Sequence, residues 1–475
     1  MLNFLQNPLL KQYVVVIVVN LSILCTGLGL AWPSPVLVKL MNSTETVLPR
    51  PITKEEGSWI VSIGFLVGMF GTILPAFLLD RIGRKRCILL AAAPKLAVGL
   101  LLTLGADVWA LLLARGACGA CDMLLFSVVP VYAAEVASTK VRGSLGTILQ
   151  IMCSLGIVIM LSMGPFTSYV TLNAIYTCFT VVTFAPLLFI PESPYYLYVK
   201  GSNEEAIKLL TILRGSETTA REEMKEYALS QTEVKIRKRD LFKNRTFLKS
   251  LGISTTLGVG SQLVGFNAVT FYLQTVLEST QTSVASETAS AVIGAIQLTA
   301  SIVTTLITDR FGRKPILSIT LVGMTLGMVG LGAFFKIQEN GDQITGALNY
   351  LPLISLILVV FSYSAGIGSL MWALTAELFD GPARAYGLSI SSIMNILAVF
   401  LTTKYFAQIT ATIGPATTYW FFSVNCVLFC IFILFCVPET RGKTFAEIQE
   451  ELGARRIASD KEEPCDKSVS VHKNV

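Results

Sequence analysis

The chain predicts an all-α membrane protein: twelve transmembrane helices as two six-helix bundles, with a cytosolic helical segment between the halves. Three observations carry this expectation. Of the 475 residues, 53% are hydrophobic and 14% are charged, whereas a soluble domain carries about 25% charged residues. Apolar runs of about 20 residues recur along the chain, long enough to cross roughly 30 Å of hydrocarbon. A dense cationic knot, Asp80-Arg81-Ile82-Gly83-Arg84-Lys85-Arg86, returns as Asp309-Arg310-Phe311-Gly312-Arg313-Lys314. Such clusters cannot sit in hydrocarbon, and Lys and Arg beside spans mark the cytoplasmic side. The two copies therefore orient the helices and mark the chain as a doubled object.

Residues 1–12 read as a short polar-to-basic lead, and span 1 covers about 13–37, ending in Trp32-Pro33-Ser34-Pro35. It is long enough to be a retained span rather than a cleaved signal peptide. Residues 38–57 are polar and hold Asn42-Ser43-Thr44, a glycosylation acceptor if this loop is extracytoplasmic. Span 2, about 58–79, carries Gly64, Gly68 and Gly71, a small-residue face suited to close helix contact. After the first knot come spans 3 and 4, about 87–105 and 109–134, joined by a turn with Asp107 and Trp109. The segment from Glu135 to Arg142 is a polar break before spans 5 and 6, about 144–164 and 170–190.

Residues 191–248 differ in kind. They open with Pro191-Glu192-Ser193-Pro194 and continue rich in Glu, Lys and Arg. Helical periodicity over 203–213, with Asn203 as the cap, predicts short amphipathic helices in the cytosol. The basic run 235–239 closes the segment where anionic lipid would attract it. Six more spans follow at about 249–275, 288–308, 315–336, 349–375, 386–409 and 416–437. The tail opens Pro438-Glu439-Thr440-Arg441-Gly442 and reads as disordered beyond about Gly453. The expected units are thus a bundle over 1–190, a linker over 191–248, a second bundle over 249–437 and a cytosolic tail over 438–475.

The topology is checked by independent signals. With both ends cytosolic, the loops carrying most Lys and Arg face inward, and Asn42 falls outside as glycosylation requires. The repeat is ordered as well. The knot at Asp80 is followed by Glu135 and Arg142, then by Pro191-Glu192-Ser193; the knot at Asp309 is followed by Glu377 and Arg384, then by Pro438-Glu439-Thr440. Two like-oriented halves imply bundles related by an axis along the membrane normal.

Several classes of function are excluded. The net charge of +6 sits at span ends, which speaks for orientation and anionic lipid and against nucleic acid. Most of the ten cysteines lie in apolar runs and read as small buried hydrophobes. His472, in the tail, is the only histidine. No nucleophile–base set, metal cluster or phosphate loop is present, so no enzyme activity, metal or cofactor is expected.

With these motifs in hand, the chain over about 13–450 resembles the sugar porter branch of the major facilitator superfamily, and within it the insect facilitated trehalose transporters and glucose facilitators. The resemblance is carried by the two knots, the Glu135…Arg142 and Glu377…Arg384 pairs, and the Pro-Glu-Ser and Pro-Glu-Thr motifs. It implies a facilitative sugar carrier, monomeric, multi-pass in the plasma membrane with both termini cytoplasmic, whose partners are a sugar and the lipid. Its site would lie near the midplane between the bundles. Amides suit sugar hydroxyls because each both donates and accepts, and aromatic faces pack on sugar rings.

Carried over residue by residue, the resemblance assigns substrate contact to Gln150, Ser261, Gln262, Asn267, Gln297, Trp372 and Asn395, with Phe271 and Tyr272 at an outer aromatic gate. For Gln150 the bland alternative is a helix–helix hydrogen bond; for Trp372 it is an interfacial tryptophan. Gln262 and Asn267 are five apart, about 140° around a regular helix, so an unwinding at Gly265 is needed for both to face one chamber. The pattern also departs from the family. Ser261 and Gln297 replace the usual amides, Tyr195 replaces an arginine, and the stretch Gly368-Ser369-Leu370-Met371-Trp372 lacks both family prolines. Prolines break helices, so stiffer gating or a different substrate is expected. The resemblance further implies a cytosolic charge latch of Asp80, Arg81, Arg84, Glu135, Arg142 and Glu192, with Asp309, Arg310, Arg313, Glu377, Arg384 and Glu439 in the second half; the alternative is that these charges only set topology. Span 1 lacks the acid of proton-linked relatives, and Asp122 in span 4 reads as a structural residue or a proton site. Uniport is the first reading. Proton–sugar symport and a non-transporting sugar sensor are the alternatives.

Overall fold

The computed structural model describes residues 7–138, 141–231, 242–281, 284–342, 344, 346–379, 383–441, 443 and 445–453. Every element among them is helical. Eleven of the spans are long and apolar enough to cross a membrane. The remaining span, the seventh, is split into Arg245–Leu263, Phe266–Phe271 and Leu273–Ser279. Span 1 begins earlier than expected, at Pro8, because Asn7 caps it by accepting from the Leu9 N–H. It runs as Pro8–Ala31 and, past Trp32, as Pro33–Met41. Spans 2 to 6 are Lys54–Ile73 (extended by Pro75–Ile82), Arg84–Leu104, Val108–Val136, Arg142–Met163 and Tyr169–Leu187. Spans 8 to 12 are Ser286–Phe311, Arg313–Glu339, Leu351–Ala365 with Ile367–Glu377, Ala383–Ile413 and Pro415–Cys436.

Side-chain caps satisfy the first amides of several spans, which would otherwise be orphaned. Thr53 and Glu56 form a reciprocal capping box on span 2, Asp107 caps span 4 and Ser168 caps span 6. At the knots the device is different. Gly83 and Gly312 turn the chain with φ of 92° and 85° and the same ψ of 166°. These dihedrals are open only to glycine. Each turn also leaves room for a carboxylate from the far end of the same half. Glu192 accepts from the Arg84 and Lys85 N–H groups at 2.9 and 3.0 Å, and Glu439 accepts from those of Arg313 and Lys314 at 3.1 and 3.0 Å. A negative charge at a helix N-terminus is favoured by its exposed N–H groups and dipole.

Within the first half, spans 2 and 4 and spans 1 and 5 cross at near backbone contact. A Cβ on Gly119 would lie 1.9 Å from the Gly64 carbonyl oxygen, and one on Gly71 2.3 Å from that of Ala120. One on Gly27 would lie 2.1 Å from the Cys153 carbonyl oxygen. Small residues at these crossings are what lets helices associate where lipid removes the hydrophobic drive. The second half packs span 9 on spans 10 and 12, and span 7 on span 11. The halves meet through spans 2 and 11, spans 5 and 8, and the ends of spans 1 and 7 remote from the knots.

The linker forms helices Pro194–Val199, Asn203–Arg214 and Glu217–Gln231. Asn203 is the first helical residue rather than the cap; Ser202 takes that position without a capping bond. The second of these helices docks on the first half. Gln12 donates to the Leu213 carbonyl at 2.8 Å and accepts from the Ser138 N–H, while Arg214 donates to the Val136 carbonyl. The basic run 235–239 lies outside the described residues.

The close crossing of spans 2 and 4 makes a prediction. Gly119→Leu forces the backbones apart, a penalty of at least about 1–3 kcal/mol. We expect loss of the monodisperse peak in fluorescence-detected size exclusion, whereas Gly252→Leu, whose Cβ meets nothing within 4 Å, retains it.

Candidate substrate site

A polar network is organised by a backbone break. Gly265 adopts the left-handed conformation with φ of 84°, ending the first segment of span 7 and starting the next. The break swings Asn267 back so that its side-chain N–H donates to the Gln262 Oε1 at 2.6 Å. Gln262 in turn donates to the Ser261 hydroxyl at 3.1 Å. From span 11, Asn395 donates to that hydroxyl at 3.3 Å and to the Gly258 carbonyl at 2.9 Å. Four of the expected residues, Ser261, Gln262, Asn267 and Asn395, thus form one uncharged network. Gln262 and Asn395 are 3% and 5% exposed, and Asn267 is half-buried.

A second polar group joins the halves. Ser154 of span 5 and Ser301 of span 8 share a hydrogen bond of 2.9 Å, and Gln150 donates weakly to Ser154 at 3.5 Å. Gln297 is 5% exposed, and its Oε1 has no partner among the described residues. A buried acceptor of this kind has unused capacity for a hydroxyl.

The aromatic positions divide. Phe271 stacks on Phe65 of span 2 with centroids 5.3 Å apart, so it bridges the halves. The Tyr272 hydroxyl donates to the Thr403 carbonyl and its ring packs on Phe406, both in span 11. Trp372 is 50% exposed. Its neighbour Met371 is the span-10 residue that reaches the network, with its sulfur 3.9 Å from the Asn395 amide nitrogen. Although the family prolines are missing, span 10 is still interrupted, at Gly366 with φ of −114° and ψ of −98°. There the backbone packs so closely on span 9 that a Cβ would lie 1.9 Å from the Thr320 hydroxyl. The two breaks adjoin: Phe266 and Tyr363 stack with centroids 3.7 Å apart and planes 6° from parallel.

At the end remote from the knots, further contacts tie the halves together. Lys404 of span 11 donates to the Ser58 hydroxyl at 2.8 Å and lies 4.1 Å from the Trp59 ring centroid in span 2. The Gln274 N–H donates to the Ser34 hydroxyl at 3.0 Å. At the knot end the ion pairs seen each lie within one half. Arg84 is clasped by Glu135 at 2.9 Å and Asp80 at 3.3 Å, with the Tyr195 and Tyr196 rings beside it; Ser193 also bonds Glu135. Arg313 pairs with Glu377 at 3.3 Å more loosely, and its Nε and the Glu377 Oε2 are buried without partners among the described residues. Arg81 and Arg384 are exposed. The side chains of Arg142, Asp309 and Arg310 lie outside the described residues. In the loop between spans 1 and 2, Asn42 accepts from the Thr44 N–H and hydroxyl through its side chain.

Sequence reasoning missed three cations inside spans. Lys95 is 2% exposed and its ammonium sits 2.6 Å from Asp122 Oδ1, with the Thr26 hydroxyl donating to the same oxygen at 2.9 Å. Asp122 is therefore one half of an ion pair joining spans 1, 3 and 4. Arg115 is 5% exposed, donates to the Gly29 carbonyl at 2.9 Å and lies over the Trp32 ring. Lys404 is the third. A lone Lys in an apolar run paired in composition with a lone acid was the available signal for Lys95.

Glu439 carries a pH prediction. Burial pushes its carboxyl up, but N–H groups of Arg441, Arg313, Lys314 and Thr440 hold it down, and the net is below the ordinary 4.5. A carboxylate depressed in the fold adds stability above its unfolded value and loses it as pH falls through the folded one. We expect the melting midpoint of the purified protein to drop on acidification below about pH 4.5, and Glu439→Gln to flatten that drop while lowering the midpoint at pH 7.

The family described as "Sugar (and other) transporter" matches residues 34–452. The facilitated trehalose transporter Tret1 of Polypedilum vanderplanki is 31% identical over 456 residues, 94% of this chain and 90% of that protein. Tret1 of Bombyx mori is 30% identical over 466 residues, 97% of this chain and 90% of that protein. Among solved structures, the inward-open xylose transporter XylE from E. coli superposes with a TM-score of 0.78 at 22% identity, covering 93% of this chain and 99% of that one. XylE bound to 6-bromo-6-deoxy-D-glucose gives 0.72 at the same identity and coverage. The fold is thus that of the twelve-span, two-bundle transporters, and the chain belongs to the sugar porter family of the major facilitator superfamily.

Proposed function

We propose that the protein is a facilitative carrier for trehalose or a hexose such as glucose, working by alternating access and without a coupled proton. The observation that supports this best is the uncharged network of Ser261, Gln262, Asn267 and Asn395 at the span-7 break. Its groups both donate and accept, which suits a neutral polyol and no ion. Gln150 and Gln297 would supply the opposing side of the chamber, and Trp372 an apolar wall for the ring. The trehalose-carrying relatives support the disaccharide.

The pairing of Asp122 with Lys95 speaks against proton symport. A carboxylate matched by an ammonium and a hydroxyl is a settled charge, and releasing it would leave Lys95 buried alone. The break at Gly366 speaks against a rigid sensor, because span 10 keeps a place to bend despite its missing prolines. The knots on the cytosolic side, the Asn42 glycan outside, a plasma-membrane location and a monomeric state complete the reading.

In this orientation the contacts through Lys404, Phe271 and Gln274 close the outer side. The charge pairs around Arg84 and Arg313 then serve as braces that let each bundle move as one body, and the outer contacts are those exchanged on rocking. Only a difference between states biases the equilibrium. A cation–π contact of about 0.5–2 kcal/mol and a charged hydrogen bond of about 1.5–3 kcal/mol are at stake in Lys404.

Two outcomes follow. Labelled trehalose and glucose should enter oocytes expressing the protein equally well with and without a pH gradient, and Gln262→Leu should cut uptake at least about tenfold, equivalent to about 1.4 kcal/mol. A several-fold stimulation by external acid would overturn uniport. Lys404→Ala should raise labelling of an external-side cysteine in the chamber by up to roughly tenfold; an unchanged rate would remove Lys404 from the outer closure.

A further inference from the structure

A cavity of about 140 Å³ lies in the first half between spans 1, 4 and 5, away from the amide network. Asn20, Val129, Pro130, Ala133, Gly146 and Leu149 line it. Gly146 stands one helical turn from Gln150 on the same face of span 5, on the knot side. The cavity therefore lies on the knot side of Gln150. Pro130 and Gly146 are exposed, so the cavity opens on one side, and a Cβ on Gly146 would meet nothing within 4 Å.

Its walls are aliphatic with one exception. Asn20 is 1% exposed, and its amide N–H donates to the Val16 carbonyl at 2.8 Å, four residues back. Its Oδ1 is buried and has no partner among the described residues. A buried acceptor without a donor is rare in folded proteins and asks for an explanation. Nothing in the sugar chemistry above uses it.

Size and polarity together select an occupant. A cavity of roughly 150 Å³ with aliphatic walls holds a benzene ring. One inward acceptor calls for one donor. A sugar fits poorly, since its other hydroxyls would be buried without partners. We propose that this cavity is a binding site for a single-ring aromatic alcohol of the phenol class, its ring against Pro130 and Leu149 and its hydroxyl donating to Asn20 Oδ1. The site does not depend on which sugar is carried, or on transport at all. It has a mechanical consequence. Pro130 lies within span 4 and deprives that helix of a backbone donor, which makes it a bending point. A ring lodged between this point and span 5 wedges the two inner segments apart and opposes closure on that side.

The test uses the purified full-length protein and 4-azidophenol, with 4-azidotoluene as the partner lacking the donor. After photolysis, peptide mapping should place the phenol adduct within 126–149 and remove most of it when excess phenol is present. The toluene should label that segment at least fivefold less. Gly146→Leu, which fills the space, should abolish the adduct, and Asn20→Leu should make the two probes equal. Labelling that phenol does not compete, that ignores Gly146→Leu, or that is the same for both probes in the wild type would overturn the proposal. The wild-type comparison of probes decides the matter even if a variant fails to fold, and a cavity filled only by water would give no competed adduct.

Discussion

A polar group taken into hydrocarbon must find a partner inside the protein, and that constraint explains most of what this chain does with its few charges. Lys95 and Asp122 enter the membrane as a pair, with Thr26 between them. Arg115 spends its guanidinium on the Gly29 and Ile60 carbonyls and the Trp32 ring. Many Ser, Thr and Asn side chains within the spans bond back to their own helix or across to the next, although the hydroxyls of Ser250, Thr270, Thr275 and Thr410 have no partner among the described residues. The same rule makes the exceptions informative. Gln297 in span 8 and Asn20 in span 1 keep acceptors free among the described residues.

The knots show the rule at the membrane edge, where pairing becomes architecture. In each half, the acid that follows the sixth span returns to cap the start of the third, across a glycine that only that backbone can use. Repetition of sequence is thus repetition of a joint. The halves are not equal, however. Arg84 is enclosed by two carboxylates and two tyrosine rings, while among the described residues Arg313 makes one ion pair and leaves atoms unmatched. Tyr195, standing where the family has an arginine, contributes one of those rings. The linker helix docks on the first half as well, through Arg214 and Gln12.

Much of this was legible in the sequence, for a physical reason. Hydropathy and charge at span ends report directly on the solvent each residue meets, so spans, repeat and family could be read without coordinates. The amide pair Gln262 and Asn267 came from the family resemblance, and the break at Gly265 that their spacing required is present. What escaped was of two kinds. Lys95 and Lys404 sit in runs whose average hydropathy hides a single cation, and only tertiary structure supplies the partners that make them tolerable. The interruption of span 10 escaped because it comes from Gly366 pressed on Thr320 rather than from proline, and nothing local to the sequence announces a distant hydroxyl. The start of span 1 at Pro8 and the role of Ser202 are smaller cases, in which one residue decides an end.

The stack of Phe266 on Tyr363 has a consequence for movement. Each ring belongs to the weak point of its own helix, and the two are pressed flat together at 3.7 Å. Spans 7 and 10 consequently share a single axle: neither can bend without turning the other. A carrier lacking the span-10 prolines can keep a working hinge this way, since its pivot combines two glycine breaks with the pair of rings that ties them together.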